Sequence, residues 1–384
     1  MGRQIVVDRN IPLASSAFHA FGDVRLLETG AFSAETIGDA DVLVIRSETK
    51  VGARLLEGTN VQFVGTATIG TDHIDTDYLS SKGIAFANAP GCNANSVKEY
   101  VLAALLVLAG RSGRPLRGRK LGVVGLGHIG SRVAEMGRAL GMTVLANDPP
   151  IARLTPRSDL LPIDALMQSD IITLHVPLTR QGPDATDRLF DRRRIQALKR
   201  GAILINTSRG AVVEGEALRE ALQSGHLGAA ILDVWEGEPS INEDLLRLAT
   251  LATPHIAGYS LDGKVNAVAQ IRKALGRHFS QTSDWRPQIP PPDLGRIPLA
   301  DGGDTEALLA EAVGRCYDIE LDDRQTRLIL QTDPDRRSKY FVGLRTGYRI
   351  RREFSAFALE IPAGNDELQL TLERVGFNRI LKRP

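Results

Sequence analysis

Lys120-Leu-Gly-Val-Val-Gly125-Leu-Gly127-His-Ile-Gly130-Ser-Arg132 is the stretch on which the fold turns. The apolar run 121–124 reads as a buried strand and enters the glycine motif directly. A helix-like segment, 131–140, follows, and a second apolar run, 142–146, leads to Asp148. In such a strand–turn–helix Gly125 allows a tight turn, Gly127 lets the backbone approach a pyrophosphate, and Gly130 lets the helix pack closely on the strand. His128 and Ile129 fill the variable positions at the helix start, where unpaired N–H groups and the positive dipole end favour an anion. Asp148, about 20 residues further on, stands where an acid accepts ribose hydroxyls. With no basic residue beside it, that acid points to NAD rather than NADP. The plainer alternative is a glycine turn between two core elements; the strand, helix, second strand and acid in register argue for a dinucleotide site.

Outward from the motif, alternating strands and helices continue on both sides. Residues 170–175, 201–206 and 229–234 read as buried parallel strands, with helices fitting 192–199 and 215–224 between them. This makes one dinucleotide domain over 100–258. Upstream, 4–7, 41–45, 62–65 and 84–87 are short β-rich runs separated by helical stretches such as 53–57 and 75–82, which suggests a second parallel sheet flanked by helices. The polar loops after these runs, 46–50, 66–73 and 88–93, lie where open parallel sheets collect ligands, though part of them only connects elements. Asn95 or Ser96 is placed to cap a long helix over 97–109, whose broad apolar surface predicts burial between domains.

Beyond Pro254 a helix over 263–280 precedes the proline-rich stretch 286–292, a stiff extended linker. Residues 300–384 alternate helical segments, 305–314 and 366–375, with a strand at 354–361, and carry no motif with chemistry in it. The expected organisation is therefore α/β: two Rossmann-like doubly wound parallel-sheet domains, the first over 1–99 and 259–285 and the second over 100–258. A linker over 286–299 leads to a small α+β domain over 300–384.

Bulk properties narrow the function. The chain has 384 residues, too long for one ordinary core. A formal charge of +1 supplies no field to favour nucleic acid or an anionic membrane. No apolar run approaches the ~20 residues of a membrane span, and the amino terminus shows no signal-peptide pattern. Cys92 and Cys316 offer neither a disulfide framework nor a metal spacing, so the expectation is a cytoplasmic protein without a metal.

Three further segments follow predicted strands: Asn206-Thr-Ser-Arg209-Gly210, Leu232-Asp233-Val-Trp-Glu236-Gly-Glu238-Pro239 and Thr253-Pro-His255-Ile-Ala-Gly258-Tyr259. With the glycine motif, in this order, they make the chain resemble the D-isomer-specific 2-hydroxyacid dehydrogenases over about 1–285. The resemblance implies a catalytic set of Arg209, Glu238 and His255. Arg209 would hold the substrate carboxylate with its planar fork. His255 would act as acid/base, because an imidazole titrates near neutral pH. Glu238 would orient that ring and favour its charged form. The implied NAD contacts are Gly125, Gly127, His128, Ile129, Gly130, Asp148, Val176, Thr207, Ser208, Arg209, Asp233 and Gly258. Val176 offers only its backbone where relatives can place Thr. Among rivals, His73 competes with His255 and Glu236 with Glu238, while His19, His128, His175, His226 and His278 read as structural. The chance that His128 touches phosphate stays open.

A closer resemblance to one branch of that family extends through the carboxy-terminal segment. It is carried by 64–73, 88–94, 232–239 and 255–264. It implies oxidation of 4-phospho-D-erythronate to 2-oxo-3-hydroxy-4-phosphobutanoate in pyridoxal phosphate biosynthesis. It further implies substrate contacts at Ser47, Thr68 and Tyr259, and a homodimer joined through the last domain. Arg46 and Lys50 are candidates for the phosphate, and Arg345 and Arg349 for reaching an active cleft from the terminal module. Two other readings stay open: a D-3-phosphoglycerate dehydrogenase, and a non-catalytic NAD-sensing protein.

Overall fold

The computed structural model describes residues 2–155 and 158–383. It divides into two compact units, Met1–Asn93 with Ser260–Pro290, and Ala94–Tyr259 with Pro291–Pro384.

The first unit is a five-stranded parallel sheet in the order β2-β1-β3-β4-β5, made of β1 (Gln4–Asp8), β2 (Asp23–Leu27), β3 (Val42–Ile45), β4 (Phe63–Thr66) and β5 (Ala85–Ala87). Strands β1, β3 and β4 are buried almost throughout, which is why they read as continuous apolar runs. Edge strand β2 was not expected. Its Asp23 and Arg25 break the apolar pattern, and charge is what an unpaired sheet edge tolerates. Helices α1 (Ala14–Phe18), α2 (Ala34–Ile37), α3 (Ala53–Leu56) and α4 (Thr76–Ser81) are short, and the Asp75 carboxylate caps α4. Helix α11 (Leu261–His278), far away in sequence, joins this core through Val268, Ile271 and Leu275. Gly65 makes room for it, since a Cβ there would stand 2.5 Å from Ile271 Cγ2.

The second unit holds a six-stranded parallel sheet in the order β11-β10-β9-β8-β6-β7. Its strands are β6 (Lys120–Val124), β7 (Thr143–Asn147), β8 (Ile171–Leu174), β9 (Ile203–Asn206), β10 (Ala229–Leu232) and β11 (Leu251–Ala252). The strand order reverses between β6 and β8, so the loops leaving β6, β8, β9, β10 and β11 gather at the carboxyl edge where such sheets bind ligands. The helices of this part are α5 (Ala94–Ser112), α6 (His128–Ala139), α7 (Pro149–Leu154), α8 (Arg192–Ala197), α9 (Gly215–Gln223) and α10 (Glu243–Leu248). Two helix starts differ from expectation. Helix α5 begins at Ala94, so Asn95 and Ser96 lie inside it, and the Ser96 hydroxyl donates to Glu353 instead of capping. Helix α6 begins at His128, three residues early, which makes Gly127 its N-cap and puts His128, Ile129 and Gly130 in its first turn.

The same unit contains the carboxy-terminal segment, a three-stranded parallel sheet of β12 (Arg296–Pro298), β13 (Ala358–Ile361) and β14 (Ile380–Lys382) with helices α12 (Thr305–Cys316), α13 (Ile319–Arg327), α14 (Arg337–Thr346) and α15 (Asp366–Val375). Strand β12 falls within the stretch expected as linker, so the extended chain ends earlier, at a sheet. The strand expected over 354–361 is shortened to Ala358–Ile361, because the Phe354 amide is drawn to Glu99 Oε1 and a 3₁₀ turn precedes the strand. Helix α5 is buried along most of its length, against α6 on one side and α12 and α13 on the other. No helix among the described residues is long and apolar enough to cross a membrane.

Candidate active site

At the head of α6 the three glycines are set apart by their surroundings. Gly125 adopts φ +86°, and a Cβ on it would lie 2.5 Å from the His175 carbonyl oxygen. A Cβ on Gly130 would lie 1.8 Å from the Gly125 oxygen. Around Gly127, however, nothing stands within 4 Å of a Cβ position, and it and His128 are exposed. Two glycines thus close the turn while the third leaves open space in front of a helix N-terminus, the cradle a pyrophosphate needs. Asp148 fixes this turn from β7: its Oδ2 accepts from the Leu126 amide at 2.8 Å and its Oδ1 from the Ile151 amide at 3.0 Å. It caps α7 as well, a structural task the sequence did not reveal; the carboxylate keeps further acceptor directions for a diol.

The turn after β9 is knitted by Asn206, whose Oδ1 accepts from the Ser208 amide and hydroxyl and whose amide donates to the Arg209 carbonyl at 3.0 Å. Thr207 and Ser208 are buried, and the Thr207 hydroxyl lies 3.3 Å from His175 Nδ1. Burial drives His175 down to about 3, so this ring is neutral. Gly210 lets this turn sit against the next strand's loop, since a Cβ would be 2.0 Å from the Trp235 carbonyl. Arg209 is half-buried, and one of its guanidinium N–H groups donates to the Ser208 carbonyl at 2.8 Å.

Asp233, 1% exposed, organises the loop after β11. Its Oδ1 accepts from the Thr253 hydroxyl at 2.6 Å and the Ile256 amide at 2.8 Å, and its Oδ2 from the Ala257 amide at 3.0 Å. Tyr100, from the middle of α5, donates to that Thr253 hydroxyl at 2.7 Å. Burial lifts the Asp233 carboxyl above its ordinary value, against the pull of the His255 charge and these donors. The bracing matters because His255 has φ +61°, a left-handed conformation that costs a non-glycine residue about 1 kcal/mol or more. Its own amide is tied to the Asp233 carbonyl at 2.7 Å.

Held in this way, His255 Nδ1 meets Glu238 Oε2 at 2.8 Å, while Glu238 Oε1 accepts from the Trp235 amide at 2.7 Å. The two side chains are 32% and 19% exposed, enough for the ring's other edge to be reached by a small molecule. Burial alone would raise the Glu238 carboxyl; the His255 bond and charge, the Trp235 amide and the Arg345 charge outweigh it and hold it below the ordinary range. Glu236 points elsewhere, accepting from the Gly215 amide at 3.2 Å. Because β9, β10 and β11 are neighbours, Arg209, Glu238 and His255 share one edge of one sheet. Gly258 and Tyr259 continue that loop, and the Tyr259 hydroxyl accepts from Arg345 at 3.2 Å.

Ser47 and Thr68 belong to the first unit, on the loops after β3 and β4. Ser47 is exposed, and Thr68 bonds the Thr66 hydroxyl at 2.8 Å and the Gly70 carbonyl at 2.9 Å. His73 Nε2 lies 3.0 Å from the Thr66 hydroxyl. Arg46 faces Asp8 and Glu48 at 3.4 and 3.7 Å. Sequence reasoning passed over Asn206, Thr253 and Tyr100. Only Tyr100 gave a signal, a phenol on the buried side of an apolar helix that must find a partner.

Residues 104–257 match the family model described as D-isomer specific 2-hydroxyacid dehydrogenase, NAD binding domain, and residues 288–376 match a domain of unknown function (DUF3410). The chain is 44% identical to the erythronate-4-phosphate dehydrogenase of Salinibacter ruber over 95% of its own length and 96% of the relative's. It is likewise 44% identical to that of Azotobacter vinelandii, over 97% and 99%. Among solved structures, the NAD complex of Staphylococcus aureus formate dehydrogenase aligns with a TM-score of 0.60 and 27% identity over 72% of this chain and 95% of that one. The Aquifex aeolicus D-lactate dehydrogenase complex with NAD and lactic acid aligns with a TM-score of 0.60 and 25% identity, over 72% and 96%. The cofactor of this chain is therefore NAD. With identity of this level across nearly all of both chains, and the NAD-binding domain of the larger family within it, the protein belongs to the erythronate-4-phosphate dehydrogenases, a branch of the D-isomer specific 2-hydroxyacid dehydrogenases.

Proposed function

We propose that this protein oxidises 4-phospho-D-erythronate at C2 to 2-oxo-3-hydroxy-4-phosphobutanoate, a step of pyridoxal phosphate biosynthesis. The observation that carries the reading is the His255–Glu238 pair at 2.8 Å on the sheet edge that also bears Arg209. Arg209 takes the substrate carboxylate through its fork and so fixes C2. With Nδ1–H donated to the Glu238 carboxylate, the lone pair of His255 Nε2 accepts the C2 hydroxyl proton while C2–H leaves as hydride and the C2=O bond forms. NAD, when bound, supplies the hydride acceptor. Glu238 stabilises the resulting imidazolium by charge and by holding the ring's orientation.

The cofactor is assigned to Gly125, Gly127, His128, Ile129, Gly130, Asp148, Val176, Thr207, Ser208, Arg209, Asp233 and Gly258. The hydroxyls of Ser47, Thr68 and Tyr259 are assigned to the polyhydroxy substrate. A homodimer built on the carboxy-terminal segment, working in the cytoplasm, completes the proposal. Steady-state NADH formation on 4-phospho-D-erythronate and on D-3-phosphoglycerate tests it: the first acid is expected to be preferred. His255→Ala should lower turnover by roughly 10²–10⁴-fold with NAD affinity retained. Preference for 3-phosphoglycerate, or tight NAD binding with turnover on neither acid, overturns the reading.

A further inference from the structure

The proposed substrate is anionic at both ends, and the catalytic set supplies a cation for only one of them. Arg209 answers the carboxylate; the phosphate dianion at C4 calls for a second fixed charge, for which a guanidinium is well matched in shape and strength. Three arginines of the carboxy-terminal segment approach the loop that carries His255. Arg349 is spent on Asp322 and the Asp318 carbonyl. Arg351, 3% exposed, donates to the Ala257 carbonyl at 3.2 Å and to Ser96, and lies 3.9 Å over the Tyr317 ring, so it is a brace. Arg345, on α14, is different: its Nη2 donates to the Tyr259 hydroxyl at 3.2 Å, and its charge reaches Glu238. It thus stands beside both the acid/base pair and a residue assigned to substrate.

We propose that Arg345 is the phosphate-recognising, specificity-determining residue of this site, delivered by the carboxy-terminal segment of the same protomer. The assignment rests on the reading of the substrate given above. It gives a reason for the way that segment grips the sheet. Asp323 Oδ1 accepts from the Ala252 amide at 2.8 Å, and Arg327 donates to the Leu246 and Ala249 carbonyls at 2.9 and 2.7 Å. With Arg351 on Ala257, these bonds bracket the Pro254–His255 turn from both sides. Such a clasp holds α14 in register with the loop, and a recognition residue has to be held in place. A guanidinium bonded to Tyr259 also fits that tyrosine's assignment, since the phenol and the arginine together present donors to an oxyanion.

The experiment compares 4-phospho-D-erythronate with D-erythronate, which lacks only the phosphate, on the full-length protein. Arg345→Ala is expected to lose roughly 10²-fold in kcat/KM on the phosphorylated acid. On D-erythronate the loss should be at least about tenfold smaller, limited to what Arg345 contributes through Glu238 and Tyr259, and Arg345→Lys should recover part of the loss on the phosphorylated acid, because an ammonium keeps the charge without the fork. NAD affinity serves as the folding control for both variants. An equal loss on the two acids would overturn the proposal, because Arg345 would then act through Glu238 or the loop. So would no loss on either. Failure of wild type itself to oxidise 4-phospho-D-erythronate is a separate result and refutes the substrate reading, not the residue.

Discussion

Replacing Glu238 with glutamine removes one charge and almost no volume, and its effect can be worked from the geometry. The Glu238–His255 bond is 2.8 Å long, with side chains 19% and 32% exposed, so water screens it only partly. A charge-assisted hydrogen bond of this kind is worth about 1.5–3 kcal/mol. At about 1.4 kcal/mol per decade, that is a loss of roughly 10–10²-fold in kcat/KM. The loss grows if the new amide takes the wrong orientation. The Trp235 amide, 2.7 Å from Oε1, selects a carbonyl at that position and leaves the NH₂ group facing His255 Nδ1. An NH₂ there donates to Nδ1 and locks the proton on Nε2, which removes the basic lone pair; wrong-tautomer losses of this type reach about 10⁴.

Initial rates in both directions across pH separate these causes. The Haldane relation requires oxidation and reduction to fall together at any one pH, so rate alone decides little. Loss of the Glu238 charge disfavours the imidazolium, so the acidic limb of oxidation and the alkaline limb of reduction should both move to lower pH, by about 1–2 units for 1.5–3 kcal/mol. Stability supplies the control. Glu238 is held below 4.5 in the folded protein, so its contribution is present above that value and is lost as pH falls through the folded one. The stability gap between wild type and Glu238→Gln should therefore close only in acid. An unmoved pH profile with wild-type rates would refute the assignment of Glu238 as the partner of the base.

Gly127→Ala should fold like wild type, because nothing stands within 4 Å of the added methyl, yet NAD affinity measured by calorimetry should fall at least roughly tenfold where that methyl meets the pyrophosphate. An unchanged Kd would remove the cradle. His175 is pushed from 6.5 to about 3, so the unfolded chain takes up a proton over that range and the folded one does not. This costs about 2 kcal/mol between pH 6.5 and 5. Urea midpoints of His175→Gln should accordingly fall less steeply over that interval than those of wild type; parallel slopes would count against a neutral buried ring. Glu99 runs the other way: burial first, then Glu353, lifts it from 4.5 to about 8. The unfolded chain has lost that proton across this range, so stability declines as pH rises, and Glu99→Gln, which keeps an acceptor for the Phe354 amide, should melt progressively higher than wild type from pH 5 to pH 8. A gap that stays constant would show Glu99 ionised in the fold.

How much of this was legible depended on where each residue gets its constraint. The buried strands of both large sheets could be read because burial on two faces leaves little but Val, Ile, Leu and Ala, as in β3 and β8, whereas edge strand β2, with Asp23 and Arg25 in it, could not. Gly125, Gly127 and Gly130 could be read because each answers a local demand of one turn. The capping task of Asp148 could not: an acid placed to accept ribose hydroxyls and an acid that caps a helix have the same letter, and only the Leu126 and Ile151 amides disclose the cap. Asn206 and Thr253 were hidden for the same reason, since their partners lie across a turn or on the neighbouring strand.

The carboxy-terminal segment marks the limit of such reading. Arg345-Thr-Gly-Tyr-Arg349-Ile-Arg351 looks like a solvated basic turn, and although Arg345 and Arg349 stand out as candidates to reach a cleft, nothing in the spacing decides between them. Their fates diverge through residues far away in the chain: Arg349 goes to Asp322, Arg351 to the Ala257 and Ser96 carbonyls, Arg345 to Tyr259. The same holds from the other side. Lys98 and Glu99 interrupt an apolar helix, and alone they would be faults in its core. They are tolerable because the Val375 carbonyl and the Phe354 amide, more than 250 residues on, answer them. Beside the helix's broad apolar surface, an ionisable pair within it is thus a second sign that a distant part of the chain must close over α5. Charge in the wrong place is informative because its desolvation has to be offset by a partner, and that partner names the contact.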